Sequence, residues 1–342
     1  MKKILIYIIA LLLLAGCSQK KESKTEENKN SVRSDDLSAV LKNKELFDWD
    51  IIDDKFYILY GDEEASLLGY DLKDNKILFD KVINQKFYPH TKLIPLQNGY
   101  VIEKGKTVMD IYNYNDELLH TIDLNNYLDE DLFSPSFAVS QDLEKVVFTN
   151  NQKVYLIDIK SNSVSNILTL NANLNSLVSI QELTFLDNQT VCYIGDTILK
   201  EDEQSTPCYG TIDLNLHTYT KTNSSAVALD NYKNNVLIHN AFVPMDEIKE
   251  SISYLYEGTL AKDLKLSKKD SVNVHVLNEG IAIIDSGSKG DWRPNLKFNE
   301  KDYGDFGYSY ISMAAKYQNR IFLYGYLDNE DEKTSFMVQE VN

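Results

Sequence analysis

Short runs of β-branched and aromatic residues recur along the chain, each behind a polar turn: DDKFYILY, QNGYVIEK, LEKVVFTN, DNQTVCYI, KNNVLIHN, NEGIAIID and QNRIFLYG. Their centres fall near Ile58, Val101, Val147, Cys192, Leu237, Ala282 and Phe322, so the successive gaps are 43, 46, 45, 45, 45 and 40 residues. An amphipathic helix needs apolar residues three and four apart over about ten positions or more. These runs are four or five residues long and are bounded by Asn, Asp and Gly, which selects strands.

A second series lies in register with the first: LGYDLKDNKILF, DIYNYNDELLHTI, YLIDIKSNSVSNIL and GTIDLNLHTYTK each read as a strand, a polar turn and a returning strand. Asp71, Asn113, Asp158 and Asp213 occupy matching places in it. An entering strand, the run and this hairpin make four strands in a unit of about 43 residues, and the pattern predicts an all-β fold. One four-stranded sheet cannot cover both its faces, whereas several arranged radially bury each other's. Such units resemble the blades of a β-propeller, of the broad class that includes WD40-like and periplasmic TolB-like repeats. SPSFAVSQDLEKVVFT, residues 134 to 149, is most similar to that class. The resemblance covers about residues 45 to 342 and implies seven four-stranded blades, or six if the irregular stretch from Asn273 to Tyr310 shares a blade with its neighbour. TSFMVQEV supplies a third strand to the last blade. A segment near Leu37 to Leu46 is expected to close the ring as the missing strand, a short helix being the other reading.

Ahead of the repeats, Lys2 and Lys3 precede an apolar stretch, Ile4 to Leu14, which is too short to cross a bilayer, since that takes roughly 20 residues. A charged start, a short apolar middle and small residues at its end describe an export signal over residues 1–16. Leu14, Ala15, Gly16 and Cys17 resemble the lipobox of bacterial lipoproteins. That resemblance implies cleavage before Cys17 and a diacylglycerol on its sulfur, hence an extracytoplasmic protein held at the cell membrane. The tract to Asp36 has one apolar residue, Val32, and cannot offset the entropy of ordering itself. Residues 17–36 therefore read as a tether, with a reach of roughly 24 Å for a flexible coil, and residues 37–342 as one domain.

The formal charge of −17 becomes about −19 once Lys2 and Lys3 leave with the signal. Such a surface repels nucleic acid and lacks the basic patch that nucleic acid requires. Cys192 and Cys208 fall symmetrically about the KEDEQSTP connection, and in a hairpin they are expected to face each other as a disulfide. Closing that loop of about 17 residues would stabilise the chain by around 3 kcal/mol. Two buried free thiols are the other reading. No nucleophile elbow, zinc-protease helix, Walker loop or dinucleotide-binding glycine pattern is present. The histidines stand singly, and the acidic clusters lack the spacing of a calcium loop, so no metal or cofactor is expected.

The irregularities of the repeat say most about function. Between second and third strands the first three units have short connections (GDEEAS, EKGKT, TNNQK), and the later ones are longer (LKEDEQSTP, NAFVPMDEIKES, DSGSKGDWRP, LDNEDEKT). In a propeller these loops open on one face, and extensions gathered on one face of a repeat scaffold mark a binding surface. Within them GDWRPN sets Trp292 beside Arg293, and KDYGDFGYSY adds Tyr303, Phe306 and Tyr308, with Tyr310 behind them. Exposed Trp, Tyr and Arg are the side chains of binding hot spots; the same aromatics could instead plug an irregular blade. Phe242, Pro244 and Met245 are weaker candidates. The expectation is a non-catalytic binding or scaffold protein for a protein, peptide or glycan. A propeller hydrolase or lyase, with a pocket such as His239, Asp285 and Asp291, and an accessory of an envelope complex are the alternatives.

Overall fold

The computed structural model describes residues 35–342 except 62–63, 85–90, 129–131, 133–134, 151, 171–174, 198–204, 224–227, 233–234, 240–251, 258, 266–271, 278–279, 286–292, 299–300, 328–333 and 342. From 223 to 292 the description is of the backbone, with side chains only at Ala282 and Ile284. Among the described residues the strands form seven consecutive antiparallel sheets, over residues 45–84, 91–123, 137–169, 177–223, 228–265, 272–305 and 308–340. They are called sheets 1 to 7 below. Sheets 1, 2, 3, 5 and 6 have four strands each, sheet 4 has five, and sheet 7 has three. Every main strand pairs with the next in sequence, so each sheet is a simple meander.

Each of the seven expected run centres lies in the second strand of its sheet: Ile58 in Lys55–Gly61, Val101 in Gly99–Lys104, Val147 in Lys145–Asn150, Cys192 in Thr190–Thr197, Leu237 in Asn235–His239, Ala282 in Gly280–Asp285 and Phe322 in Arg320–Leu327. Second strands have neighbours on both edges, and those of sheets 1 to 4 and 7 are buried over most of their length. The recurring Asx residues end the third strands. The Asp71 carboxylate accepts the Lys73 and Asp74 N–H groups, and the Asn113 side-chain oxygen accepts those of Asn115 and Glu117. Asp158 accepts the Ser161 N–H, and Asp213 those of Asn215 and Leu216. In each turn a residue three or four further on takes a positive φ: Asn75, Asp116, Asn162 and His217. A short polar side chain thus stands in for the missing ladder partner and lets the chain reverse.

Hydrophobic clusters lie between sheets. Tyr57 and Leu59 of sheet 1 pack with Tyr100 and Ile102 of sheet 2; Val101 and Ile111 of sheet 2 with Val146 and Phe148 of sheet 3; Val147 and Val154 of sheet 3 with Tyr193 and Ile212 of sheet 4. The inner strand of sheet 5, Ala228–Tyr232, lies beside the inner strands of sheets 4 and 6. A further cluster joins Leu296 and Phe298 of sheet 6 and Ile311, Phe322 and Leu323 of sheet 7 to Trp49, Phe56 and Ile58 of sheet 1.

The expected closing strand is a helix. Asp35–Leu41 is α-helical and packs on the last strand, Thr334–Glu340, while Glu45–Ile52 is the inner strand of sheet 1. Leu37, Val40 and Leu41 are spaced for one helical face, and Leu37 and Leu41 are buried in the cluster that joins sheets 6, 7 and 1.

Candidate functional site

In a meander of four strands, the start of strand one, the connection from strand two to three and the end of strand four share one end of the sheet. At that end of sheets 1 to 4 opens a cavity of about 1310 Å3. Sheet 1 contributes Phe47 and Asp48, at a bulge between Leu46 and Asp48. The bulge aims the Asp48 carboxylate at backbone donors: Oδ1 accepts the Trp49 N–H (2.9 Å) and Oδ2 the Leu93 N–H of sheet 2 (2.8 Å). Sheet 2 contributes Lys92 and Glu103, directly opposite one another in the ladder, and the exposed Lys106 in the following turn. Burial pushes the Glu103 carboxyl up to about 7; Lys92 and Lys106 oppose the shift and Asp48 adds to it.

Sheet 3 supplies Ser136, whose N–H is received by Thr149 Oγ1 (3.0 Å), together with Gln152 in the turn and Lys153 at the start of the third strand. Sheet 4 supplies its long inner strand, Leu177–Phe185, which carries two bulges. One reason for its path is Gly195 in the next strand: a Cβ there would lie 2.1 Å from the Ser179 carbonyl oxygen. Ser179 and Gln181 both donate to Asp196, at 3.1 and 2.7 Å. The wall mixes hydroxyls, amides, three lysines and three carboxyls with apolar side chains such as Ile94, Phe137 and Ile180.

The described residues among those singled out in sheets 6 and 7 do not form one patch. Trp292 lies outside the described residues, as do Phe242, Pro244, Met245 and Asp291, and the side chains of His239 and Asp285. Arg293 is exposed, with its guanidinium 3.4 Å from Asp305, at the same end of the sheets as the large cavity. Phe306 is half-buried against the core. Tyr308 is fully buried, its hydroxyl donating to the Ser335 carbonyl (3.3 Å), and so cannot serve as an exposed contact; there the plugging reading applies. Tyr303 lies at the other end, in a second cavity of about 620 Å3 lined also by Asp53, Lys301, Lys316 and Tyr317.

The exposed aromatic pair at the cavity end is instead Tyr310 and Tyr326, with ring centroids 6.2 Å apart. Strict alternation would set Tyr308 and Tyr310 on one face. The ladder slips between them, pairing Tyr308 with Leu327 and Tyr310 with Tyr326, so their side chains point opposite ways. The run SYIS gives no sign of that slip, so nothing in the sequence distinguishes Tyr310 from its neighbours.

The expected disulfide is absent: Cys192 and Cys208 are both free and buried. In the ladder Cys192 pairs with Thr211, and Cys208 with Gly195. Paired residues share a face, and Gly195 is an odd number of positions from Cys192, so the two thiols face opposite sides of sheet 4. Burial raises both, Cys192 to about 12 and Cys208 to about 11. Among the described residues, no three His, Cys, Asp or Glu side chains gather as a metal site.

The family model for the prokaryotic membrane lipoprotein lipid attachment site matches residues 1–18. No curated protein sequence matches the chain. Among solved structures, the chain is similar to an oligogalacturonate lyase in complex with manganese, with 9% identity over 84% of this chain and 86% of that one, at a TM-score of 0.52. It is also similar to the β-propeller domain of the Trilobed protease from Pyrococcus furiosus (13% identity, 88% and 82% covered, TM-score 0.43). An acylaminoacyl peptidase from Pyrococcus horikoshii matches 89% of this chain with 46% of its own, at 13% identity and a TM-score of 0.44, so the chain spans about half of that enzyme. At these identities the likeness concerns fold alone, and the 0.52 match carries it. The chain is therefore a lipid-anchored membrane lipoprotein that faces the extracytoplasmic side and has a fold of β-propeller type.

Proposed function

We propose that this is a seven-bladed propeller, tethered through Cys17, that binds a peptide or glycan of the envelope in the cavity over sheets 1 to 4. The seven sheets supply the blades, and the separate four-stranded sheet over 272–305 argues against six. The observation that carries the binding reading is the cavity itself. It sits at the end where strand-two to strand-three connections emerge, over sheet 4 and the three sheets whose connections are shortest. Short loops over sheets 1 to 3 leave the mouth open, while Arg293 and the Tyr310–Tyr326 pair stand at the same end of sheets 6 and 7. Concave sites with a few convergent polar groups are the usual form of small-ligand sites.

The test is a blocking substitution. Gln152→Trp, on an exposed turn, should leave the melting temperature unchanged and abolish capture from an array of envelope peptides and oligosaccharides. Unchanged capture refutes the cavity as the site. Arg293→Ala combined with Trp292→Ala should weaken the same capture without loss of stability. One observation favours a second reading, a hydrolase or lyase: a carboxyl held near neutrality, such as Glu103, suits general acid work. Turnover of a captured glycan or peptide, lost in Glu103→Gln, would select it.

A further inference from the structure

Taking the cavity as the binding site, we infer that its ligand is an acidic oligosaccharide and that binding it takes up a proton at Glu103. The charged groups of the wall are Lys92, Lys106 and Lys153 against Asp48, Glu103 and Glu182. That is an even balance in a chain with 52 acidic and 35 basic residues, so the cavity is the less negative part of a strongly negative molecule. Two of the carboxyls differ in what they offer a ligand. Asp48 spends an oxygen on each of two backbone amides, from sheets 1 and 2, and so is compensated from within. Glu103, on the second strand of sheet 2, is faced by Lys92 from the first strand, Lys106 from the adjoining turn and Asp48 from sheet 1.

With Glu103 protonated, three lysines stand against two carboxylates and the cavity presents net positive charge to a ligand. With Glu103 ionised, that excess is gone. Burial already moves this carboxyl into the neutral range, and an anion beside it favours the protonated form further. The protonated carboxyl also becomes a donor for a sugar hydroxyl or carboxylate. The rest of the wall suits a polyhydroxylated ligand. Gln152, Ser179 and Gln181 offer donors and acceptors, while the half-buried Phe47 and Val178 offer apolar surface for sugar rings. The volume of about 1310 Å3 takes several sugar residues and is far larger than a simple ion needs.

Calorimetric titration of the full mature protein in detergent, with trigalacturonate, maltotriose and trilysine as probes at pH 6 and pH 8, tests this. Trigalacturonate keeps its charge over that range. Its apparent Kd should be about tenfold lower at pH 6, as expected when only the protonated form is competent and the group titrates near 7. Titrations in buffers of different ionisation enthalpy should register proton uptake. Glu103→Gln should bind at pH 8 nearly as wild type does at pH 6, and Lys106→Glu, at an exposed position, should weaken binding at both. Affinity independent of pH, or a slope that survives Glu103→Gln, overturns the proton linkage. Maltotriose or trilysine bound equally well and lost in Gln152→Trp overturns the anionic preference while leaving the cavity as the site. Silence from all three probes overturns the inference, and binding indifferent to Gln152→Trp overturns the cavity reading beneath it.

Discussion

Replacing Asp116 with glycine removes a half-buried carboxylate that joins sheets 1 and 2. Its Oδ1 accepts the Tyr57 hydroxyl of sheet 1 (3.0 Å) and the Tyr100 hydroxyl of sheet 2 (3.1 Å), and its Oδ2 lies 3.1 Å from Lys55 Nζ. Both tyrosines are fully buried with rings 4.8 Å apart, and burial together with Asp116 pushes both phenols well above their ordinary range. Glycine is the better probe because Asp116 has φ +64°, where alanine would add backbone strain. Each hydroxyl left without its acceptor costs about 1 to 3 kcal/mol, and the partly exposed lysine pair contributes about 1 kcal/mol at most. The expected loss is therefore about 2 to 7 kcal/mol, a large share of the roughly 5 to 15 kcal/mol typical of a folded protein. Urea unfolding at pH 7 measures it. The double variant Tyr57→Phe, Tyr100→Phe should make the further loss of Asp116 nearly harmless, because no buried hydroxyl is then orphaned. A loss below about 1 kcal/mol, or losses that simply add, would refute the account of this interface.

Three further outcomes are expected. The native protein should run alike on reducing and non-reducing gels and resist iodoacetamide at pH 8, since thiols raised to about 12 and 11 carry almost no thiolate there; rapid alkylation would contradict their burial. Tyr308→Ala should cost about 3 to 5 kcal/mol, as truncation of a buried aromatic does, and Tyr310→Ala less than about 0.5 kcal/mol; denaturant midpoints decide, and similar losses would mean the strand slip is misplaced. Glu103 has a folded-state pKa above its ordinary value, so the folded protein binds the extra proton and loses stability as pH rises from about 4.5 to about 7. Glu103→Gln should therefore raise the melting temperature at pH 8 relative to wild type and not at pH 4, and an equal effect at both would show that the carboxyl is not perturbed.

The periodicity of the chain locates its second strands because those strands, in sheets 1 to 4 and 7, are buried over most of their length, and an apolar run is what such burial requires. Asp71, Asn113, Asp158 and Asp213 are equally legible, for their role is local: a carboxylate or amide reaches two or three residues ahead. What escapes the sequence depends on register. Cys192 and Cys208 are symmetric in number, but the turn between their strands does not sit at the midpoint, and an odd offset turns one thiol away from the other. Tyr308 and Tyr310 are misjudged for the same reason, through a single slipped residue. The cavity is beyond sequence reasoning altogether. Asp48, Glu103, Gln152 and Gln181 meet only because four successive sheets turn the same end inward, and none of them belongs to a motif. Long loops draw attention to sheets 6 and 7, whereas the cavity lies mostly over sheets whose connections are short.

The seam between the last sheet and the first follows from the helix at Asp35–Leu41. Had the N-terminal segment entered sheet 7 as a strand, a backbone ladder would cross between the chain's two ends. Among the described residues sheet 7 keeps three strands and pairs with no strand of sheet 1, so side chains must make the join. They do so at three levels. Phe56 of sheet 1 and Phe322 of sheet 7 have centroids 4.7 Å apart in the shared apolar cluster. The Tyr324 hydroxyl receives the Leu46 N–H (3.2 Å), and Tyr317 donates to Asp54 (2.7 Å). Arg320 donates to the Leu72 carbonyl and to the Asn75 side chain, both in the turn that ends the third strand of sheet 1. A guanidinium suits this join because its planar fork serves two acceptors at once and its charge does not depend on pH. In a chain with only three arginines, one is placed where, among the described residues, no strand pairs the last sheet with the first.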